Sequence, residues 1–178
     1  MGTEMEKKYL LWEDGASYLT MDFFNLFPSV SEARTAVLAQ GRQMVQGYMP
    51  LSLGRELAAL LEQEVDFEPV EARLRCDGGS LYFTMKGKGG LFRNTLPDVP
   101  VSQDVFDRFW SGTESARLEK KRLALLYQGQ GVEIDVYTDR DLMVAEVEVA
   151  SLEQALALTP LGKDISENHR YKNRNLAR

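Results

Sequence analysis

The stretch TEMEKKYLL, residues 3–11, sets Glu4, Glu6 and Lys8 at alternate positions. Successive side chains of a strand turn to opposite faces, so these three line one face while Met5, Lys7 and Tyr9 line the other. The same division recurs along the chain. In VEARLRC (70–76), Glu71, Arg73 and Arg75 oppose Ala72, Leu74 and Cys76, and in LYFTMK (81–86), Tyr82, Thr84 and Lys86 oppose Leu81, Phe83 and Met85. VEIDVY (132–137) sets Glu133 and Asp135 against Val132, Ile134 and Val136. VAEVEVA (144–150) sets Glu146 and Glu148 against Ala145, Val147 and Val149, and LEKKR (118–122) puts Lys120 and Arg122 on one face.

A solvated outer face accounts for any one of these strands. It does not account for the set, because the charges come as like pairs: Glu-x-Glu, Glu-x-Asp, Arg-x-Arg and Lys-x-Arg. Such pairs stand roughly 7 Å apart on one face, which is unfavourable without counter-charges. Divalent cations would neutralise the carboxylates and a polyanion the bases, so the set suits a metal-bound polyphosphate. If the sheet closes into a barrel, this face becomes a lumen of reduced dielectric, while the apolar face packs on helices outside.

Periodicity near 3.6 with capping residues ahead of it predicts helices at about Ser31 to Gln40, Ser52 to Gln63, Ser102 to Trp110 and Ser151 to Leu158, the last with a Ser151-x-x-Gln154 capping box. A further helix is expected over Ser166 to Ala177. Period-two stretches predict strands at about Glu4 to Leu11, Gln43 to Met49, Val70 to Cys76, Leu81 to Lys86, Arg117 to Tyr127, Val132 to Tyr137 and Leu142 to Val149. GQG (129–131) and DRD (139–141) read as hairpin turns that make the last three strands an antiparallel meander. GKGG (87–90) lacks the Gly-Lys-Ser/Thr ending of a phosphate loop and reads as a mobile turn. DRFW (107–110) reads as core packing.

The bulk properties bound the rest. The chain has 178 residues, 44% of them hydrophobic, and a formal charge of -6, which fits one domain over residues 1–178. No run approaches the ~18 apolar residues of a membrane span and no secretory leader is visible, so a cytoplasmic protein without a membrane partner is expected. The acidic balance argues against nucleic acid as a partner. One histidine, His169, and one cysteine, Cys76, cannot assemble the usual zinc ligand sets, and no Gly-x-Ser-x-Gly elbow supports a serine hydrolase. Cys76 is expected as a packed, reduced thiol and His169 as a surface or helix-end residue, with Arg170 or Lys172 beside the charged face. Any metal should be a hard cation on oxygen ligands.

These residues are also where the sequence resembles a known family. Glu4-x-Glu6-x-Lys8 resembles the signature of the CYTH superfamily, or triphosphate tunnel metalloenzymes, which includes inorganic tripolyphosphatases, thiamine and RNA triphosphatases and class IV adenylate cyclases. QGYM (46–49), ARLRCDGG (72–79), FTMKGKGG (83–90) ending in Arg93, LEKKR, VEIDVY, AEVEVAS (145–151) and LGKDISENHRYKNRNLA (161–177) resemble their family counterparts in sequence and order. The resemblance implies an α+β fold, a closed antiparallel eight-stranded barrel with helices outside and a triphosphate in its tunnel. It implies hydrolysis of a triphosphate, inorganic tripolyphosphate first, with magnesium or manganese as cofactor. A nucleotide or thiamine triphosphatase, a class IV-type cyclase and a weakly catalytic binding domain stand as alternatives, and nothing bears on oligomeric state. Glu4, Glu6, Glu146 and Glu148 would hold the metal, and Lys8, Arg73, Arg75, Lys86, Arg93, Lys120 and Arg122 would grip the phosphates. Glu133 and Asp135 would position a second metal or its water, and with Lys8 form the catalytic set.

Two departures from the family are expected to matter. Where the family continues with alternating glutamates, this chain reads Asn94, Thr95, Leu96, Pro97, Asp98. The carboxylates are thus absent, and Pro97 is expected to shorten the strand. Additional chain is present at Ser17 to Gln40 and at Ser52 to Glu68, and the latter is expected to add a helix at a strand connection, where it covers a tunnel mouth and restricts substrate size.

Overall fold

A computed structural model of the chain describes residues 2–178. Among these residues, ten strands form one sheet: β1 (Gly2–Glu13), β2 (Ala16–Ser17), β3 (Arg42–Tyr48), β4 (Pro69–Asp77), β5 (Ser80–Gly87), β6 (Phe92–Pro100), β7 (Arg117–Tyr127), β8 (Gln130–Tyr137), β9 (Leu142–Glu148) and β10 (Lys163–Asp164). The helices are α1 (Val30–Gln40), α2 (Leu51–Leu60), α3 (Gln103–Trp110), α4 (Leu152–Ala157) and α5 (Asn173–Leu176). The strand order is β10-β1-β6-β5-β4-β3-β7-β8-β9, and β1 also pairs with β9. The eight long strands therefore close on themselves as an antiparallel barrel, the α+β class expected from the sequence.

The chain divides into two compact units. One holds residues up to Glu4, Met44–Leu118 and His169–Arg178; the other holds Met5–Gln43 and Glu119–Asn168. In the first, the apolar faces of β4, β5 and β6 give Ala72, Leu74, Phe83, Met85 and Leu96 to a core closed by Leu57 of α2 and by Phe106 and Phe109 of α3. Trp110 stacks on Phe106 with ring centroids 4.9 Å apart, so DRFW is core packing as its spacing suggests. α2 lies flat on β4: a Cβ at Gly54 would stand 2.4 Å from the Ala72 Cβ. The added helix thus covers the apolar face of the sheet, a correction to the expectation of a lid. In the second unit, Tyr9, Ile134, Val136, Ala145 and Val147 are buried on the corresponding apolar face. There the β7-β8-β9 meander runs in the expected antiparallel register.

Serines set the helix starts. Ser29, Ser102 and Ser151 accept from the backbone N–H three residues on, in Glu32, Val105 and Gln154, and so satisfy groups that helix ends leave open. Two further expectations fail. Pro97 does not shorten its strand, since β6 runs to Pro100. The C-terminal segment is not one helix but a 3-10 turn at His169–Tyr171 followed by the four-residue α5. Extended Lys172 breaks it, its ammonium donating to the Gly89 carbonyl, while Arg174 donates to the Val70 carbonyl. Long-range ties here override helix propensity.

Candidate active site

Each unit buries one cluster of ionised side chains on the face opposite its apolar layer. In the first unit, Lys86 donates to both oxygens of Glu4 at 2.8 and 2.7 Å, and Arg93 Nε donates to Glu4 Oε2 at 3.0 Å. Arg93 Nη1 stands 3.7 Å from Glu71 Oε2. Burial pushes the Glu4 carboxyl up, but Lys86, Arg93 and Arg73 outweigh it and hold the group below its ordinary value. Arg73 is buried beside Tyr48, Glu71, Asp98 and Glu4; burial disfavours its charge, and these neighbours more than restore it. Burial pushes the Tyr48 hydroxyl up and Glu71 adds to this, against a hydrogen bond from Arg73. Gln46 Nε2 lies 2.8 Å from that hydroxyl. Three side-chain atoms of this cluster are enclosed without a hydrogen-bond partner, Arg73 Nε, Arg75 Nε and Gln46 Oε1.

Pro97 sits where this cluster gains a carboxylate. Met85 pairs with Leu96 and Phe83 with Val99, so between these pairs the single residue Thr84 of β5 faces two of β6, Pro97 and Asp98. This is a β-bulge, which tolerates a residue with no N–H to give. It also changes parity. Leu96 points to the apolar core, and strict alternation would send Asp98 the same way; the extra residue instead gives the core Val99 and turns Asp98 to the charged face. There Asp98 Oδ1 accepts from Thr84 Oγ1 at 2.7 Å, its other oxygen pairs with Arg75, and Arg73 Nη2 stands 3.9 Å away. The carboxylate expected to be missing after Arg93 is therefore supplied one position late.

In the second unit, Asp135 is 0% exposed. Its Oδ1 accepts from Arg122 Nε at 2.6 Å, and its Oδ2 accepts from Arg122 Nη2 at 2.7 Å and from Lys120 Nζ. Arg122 Nη2 also donates to Glu146 Oε2 at 2.5 Å, and Nη1 to Glu133 Oε2. Lys8 Nζ stands 3.2 Å from Glu146 Oε1. For both Asp135 and Glu146 burial favours the neutral acid, yet the surrounding cations hold them below their ordinary range, Glu146 by a wide margin. Lys120 is pushed down to about 8, first by burial and then by Arg122. Glu133 goes the other way: burial, with Glu146 and Asp135 beside it, raises its carboxyl despite Arg122.

All thirteen residues singled out in the sequence thus fall into, or next to, these two clusters. Glu6 and Glu148 stand directly opposite each other where β1 pairs with β9, as Lys8 does with Glu146. Like charges in opposed positions are unfavourable without a cation. Among the described residues no group of three or more carboxylate, histidine or cysteine side chains gathers as a metal site. The Glu6–Glu148 pair nonetheless fits a magnesium-like ion, which takes one or two carboxylates and completes its shell with water and substrate phosphates. The sequence assigned no site role to Gln46, Tyr48, Thr84 or Asp98. The first three lie at alternate positions beside Arg73 and Arg75, and a proline inside a strand signals a bulge. His169 is exposed and Cys76 is a partly buried free thiol, both as expected. A cavity of about 200 Å³ in the second unit, lined by Tyr9, Val132, Val147, Leu158 and Leu161 among others, has no ionised side chain in its wall.

Fold and charge pattern together define a class: closed antiparallel barrels whose strands carry buried, alternating acids and bases. No family model matches the chain. It is 36% identical over 116 residues to an inorganic triphosphatase of Nitrosomonas europaea, which covers 62% of this chain and 76% of that protein. It superposes on the crystal structure of the inorganic triphosphatase NE1496 with a TM-score of 0.54 at 27% identity, covering 98% of this chain and 97% of that one. A second crystal structure, of the hypothetical protein NE1496, gives a TM-score of 0.53 at the same identity. The chain belongs to the family of that inorganic triphosphatase, within the CYTH superfamily. No helix among the described residues is long and apolar enough to cross a membrane.

Proposed function

We propose that this chain hydrolyses inorganic tripolyphosphate to pyrophosphate and orthophosphate with magnesium or manganese as the divalent cation. The observation that carries the reading is the buried charged face in a relative of an inorganic triphosphatase, with an Arg73 Nε–H enclosed and lacking an acceptor. A buried donor left unmade is costly, and a phosphate oxygen is the acceptor it suits.

Arg73, Lys86 and Arg93 neutralise phosphate oxygens, with Glu4 and Glu71 fixing the two last in place. Glu6 and Glu148 hold the cation, which when bound neutralises phosphate charge and acidifies water in its shell. Glu133, whose carboxyl is raised toward the working range of a base and whose side chain is 38% exposed, orients the attacking water and takes its proton. Lys8 offsets charge on the leaving oxygen. Lys120 and Asp135 keep Arg122 rigid, since both Asp135 oxygens are already filled.

The test is orthophosphate release from tripolyphosphate, with ATP and thiamine triphosphate in parallel. Glu6→Gln and Glu148→Gln should each lower turnover by about 100-fold or more, beyond what losing an outer-shell partner of a metal costs. Binding of tripolyphosphate without release under either metal would replace hydrolysis with a binding role. Full turnover in both variants would remove the metal assignment.

A further inference from the structure

Arg73 and Arg75 share one face of β4, yet their surroundings differ. Both keep an enclosed Nε without an acceptor, but Arg73 stands 3.9 Å from Asp98. Arg75 is ion-paired to Asp98 and lies over the Tyr82 ring, 5.7 Å from its centroid. Asp98 is itself fixed by Thr84 and turned inward by the Pro97 bulge. Its charge also changes the balance of the face. Arg73, Arg75, Lys86 and Arg93 are four cations against the three anions Glu4, Glu71 and Asp98, an excess of one; without Asp98 the excess is two.

We propose that Asp98 sets the end of the phosphate-binding face by taking Arg75 out of use, so that the site prefers a three-phosphate chain over a longer one. This deepens the triphosphatase reading and rests on it. A tripolyphosphate bound at Arg73, Lys86 and Arg93 meets donors throughout. A fourth phosphate extending along β4 toward Arg75 meets a carboxylate already seated there. It must displace a charge-assisted pair and approach a like charge, both of which oppose it. The bulge is what gives the chain this stop, since with regular alternation the carboxylate would point into the apolar core.

The experiment compares kcat/KM for tripolyphosphate and tetrapolyphosphate in the wild type, Asp98→Asn, Arg75→Ala and the double variant, under magnesium. Asp98→Asn keeps the shape and removes the charge. It should raise the tetrapolyphosphate-to-tripolyphosphate ratio about tenfold, the scale of one hydrogen bond to a charged group. The double variant should return the ratio to that of Arg75→Ala. An unchanged ratio in Asp98→Asn overturns the proposal, as does a gain that survives in the double variant, because the effect then bypasses Arg75. Calorimetric dissociation constants for the same two anions read the same ratio. If no protein turns over either anion, the triphosphatase reading fails while the calorimetric ratios still decide the role of Asp98.

Discussion

Lys120-x-Arg122 on β7 and Arg73-x-Arg75 on β4 are similar words in the sequence with different neighbours in the sheet. Lys120 and Arg122 pair across β8 with Tyr137 and Asp135, and Glu133 lies two residues further along the same face. Arg73 and Arg75 pair with Thr84 and Tyr82 on one side and with Tyr48 and Gln46 on the other, all four neutral. The first pair therefore meets acids in its own sheet. Lys8, Lys120 and Arg122 balance Glu133, Asp135 and Glu146, and Arg122 gives Nε, Nη1 and Nη2 to carboxylates. The second pair shares the acid Asp98 and leaves the Nε of both arginines without an acceptor. A buried cation becomes a strut where the adjacent strand supplies its counter-charge, and a receptor for anions where that strand is neutral.

The sharpest way to break this contrast is to remove one arginine from each cluster and measure unfolding in denaturant. Arg122→Met takes a partner from three carboxylates, leaving Asp135 with Lys120 and Glu146 with Lys8, and should cost about 3–5 kcal/mol, the range for breaking a buried ion pair. Arg73→Met strands none, because Glu4 keeps Lys86 and Arg93; it should cost about 1–2 kcal/mol, the scale of a lost hydrogen bond, while weakening tripolyphosphate binding. Equal losses would erase the distinction between strut and receptor.

Acid provides the next comparison. Asp135 and Glu146 have carboxyls lowered on folding, so the unfolded chain binds more protons in acid. Their stabilising contribution is complete above the ordinary carboxylate range, about pH 4, and is lost as pH falls through their depressed values. Unfolding free energy should drop steeply below about pH 4 in the wild type and less steeply in Arg122→Met, where the cause of the depression is gone. Parallel curves would show that Arg122 does not hold these carboxyls down.

The smallest effect should have the opposite sign. Glu133 has a carboxyl raised on folding, so its contribution is present in acid and lost as pH rises through that raised value. Glu133→Gln should stabilise the protein at neutral pH by less than about 1 kcal/mol, since a side chain 38% exposed is screened by water. Turnover should fall in the same variant, and the acid limb of the rate profile should go with it. A gain in stability with intact turnover would make Glu133 a mere repulsive neighbour.

Much of this was legible because alternation with period two has one solution per strand once the apolar face is known. It put Glu4, Lys8, Arg73, Lys86, Arg122 and Glu146 on the charged face before any pairing was known. Asp98 escaped because parity counts residues and cannot see that Pro97 inserts one. The division between the two clusters escaped for a different reason: it depends on which strand lies beside which, and no local pattern encodes that. The segment from Ser166 was misread because its polar residues satisfy helix propensity, whereas Lys172 and Arg174 are held by carbonyls of residues 89 and 70.

The first compact unit takes its members from residues up to Glu4, from 44–118 and from 169–178. During synthesis the whole of the other unit is made between the segment up to Glu4 and the segment from His169. The backbone pair joining Arg117 to Arg178 and the grip of Arg174 on Val70 can form only when residues 174–178 have left the ribosome. Contacts of such sequence separation are slow to close and leave strand edges open meanwhile. A nascent chain halted near residue 165 is thus expected to need a chaperone, even though every strand of the barrel has already been translated.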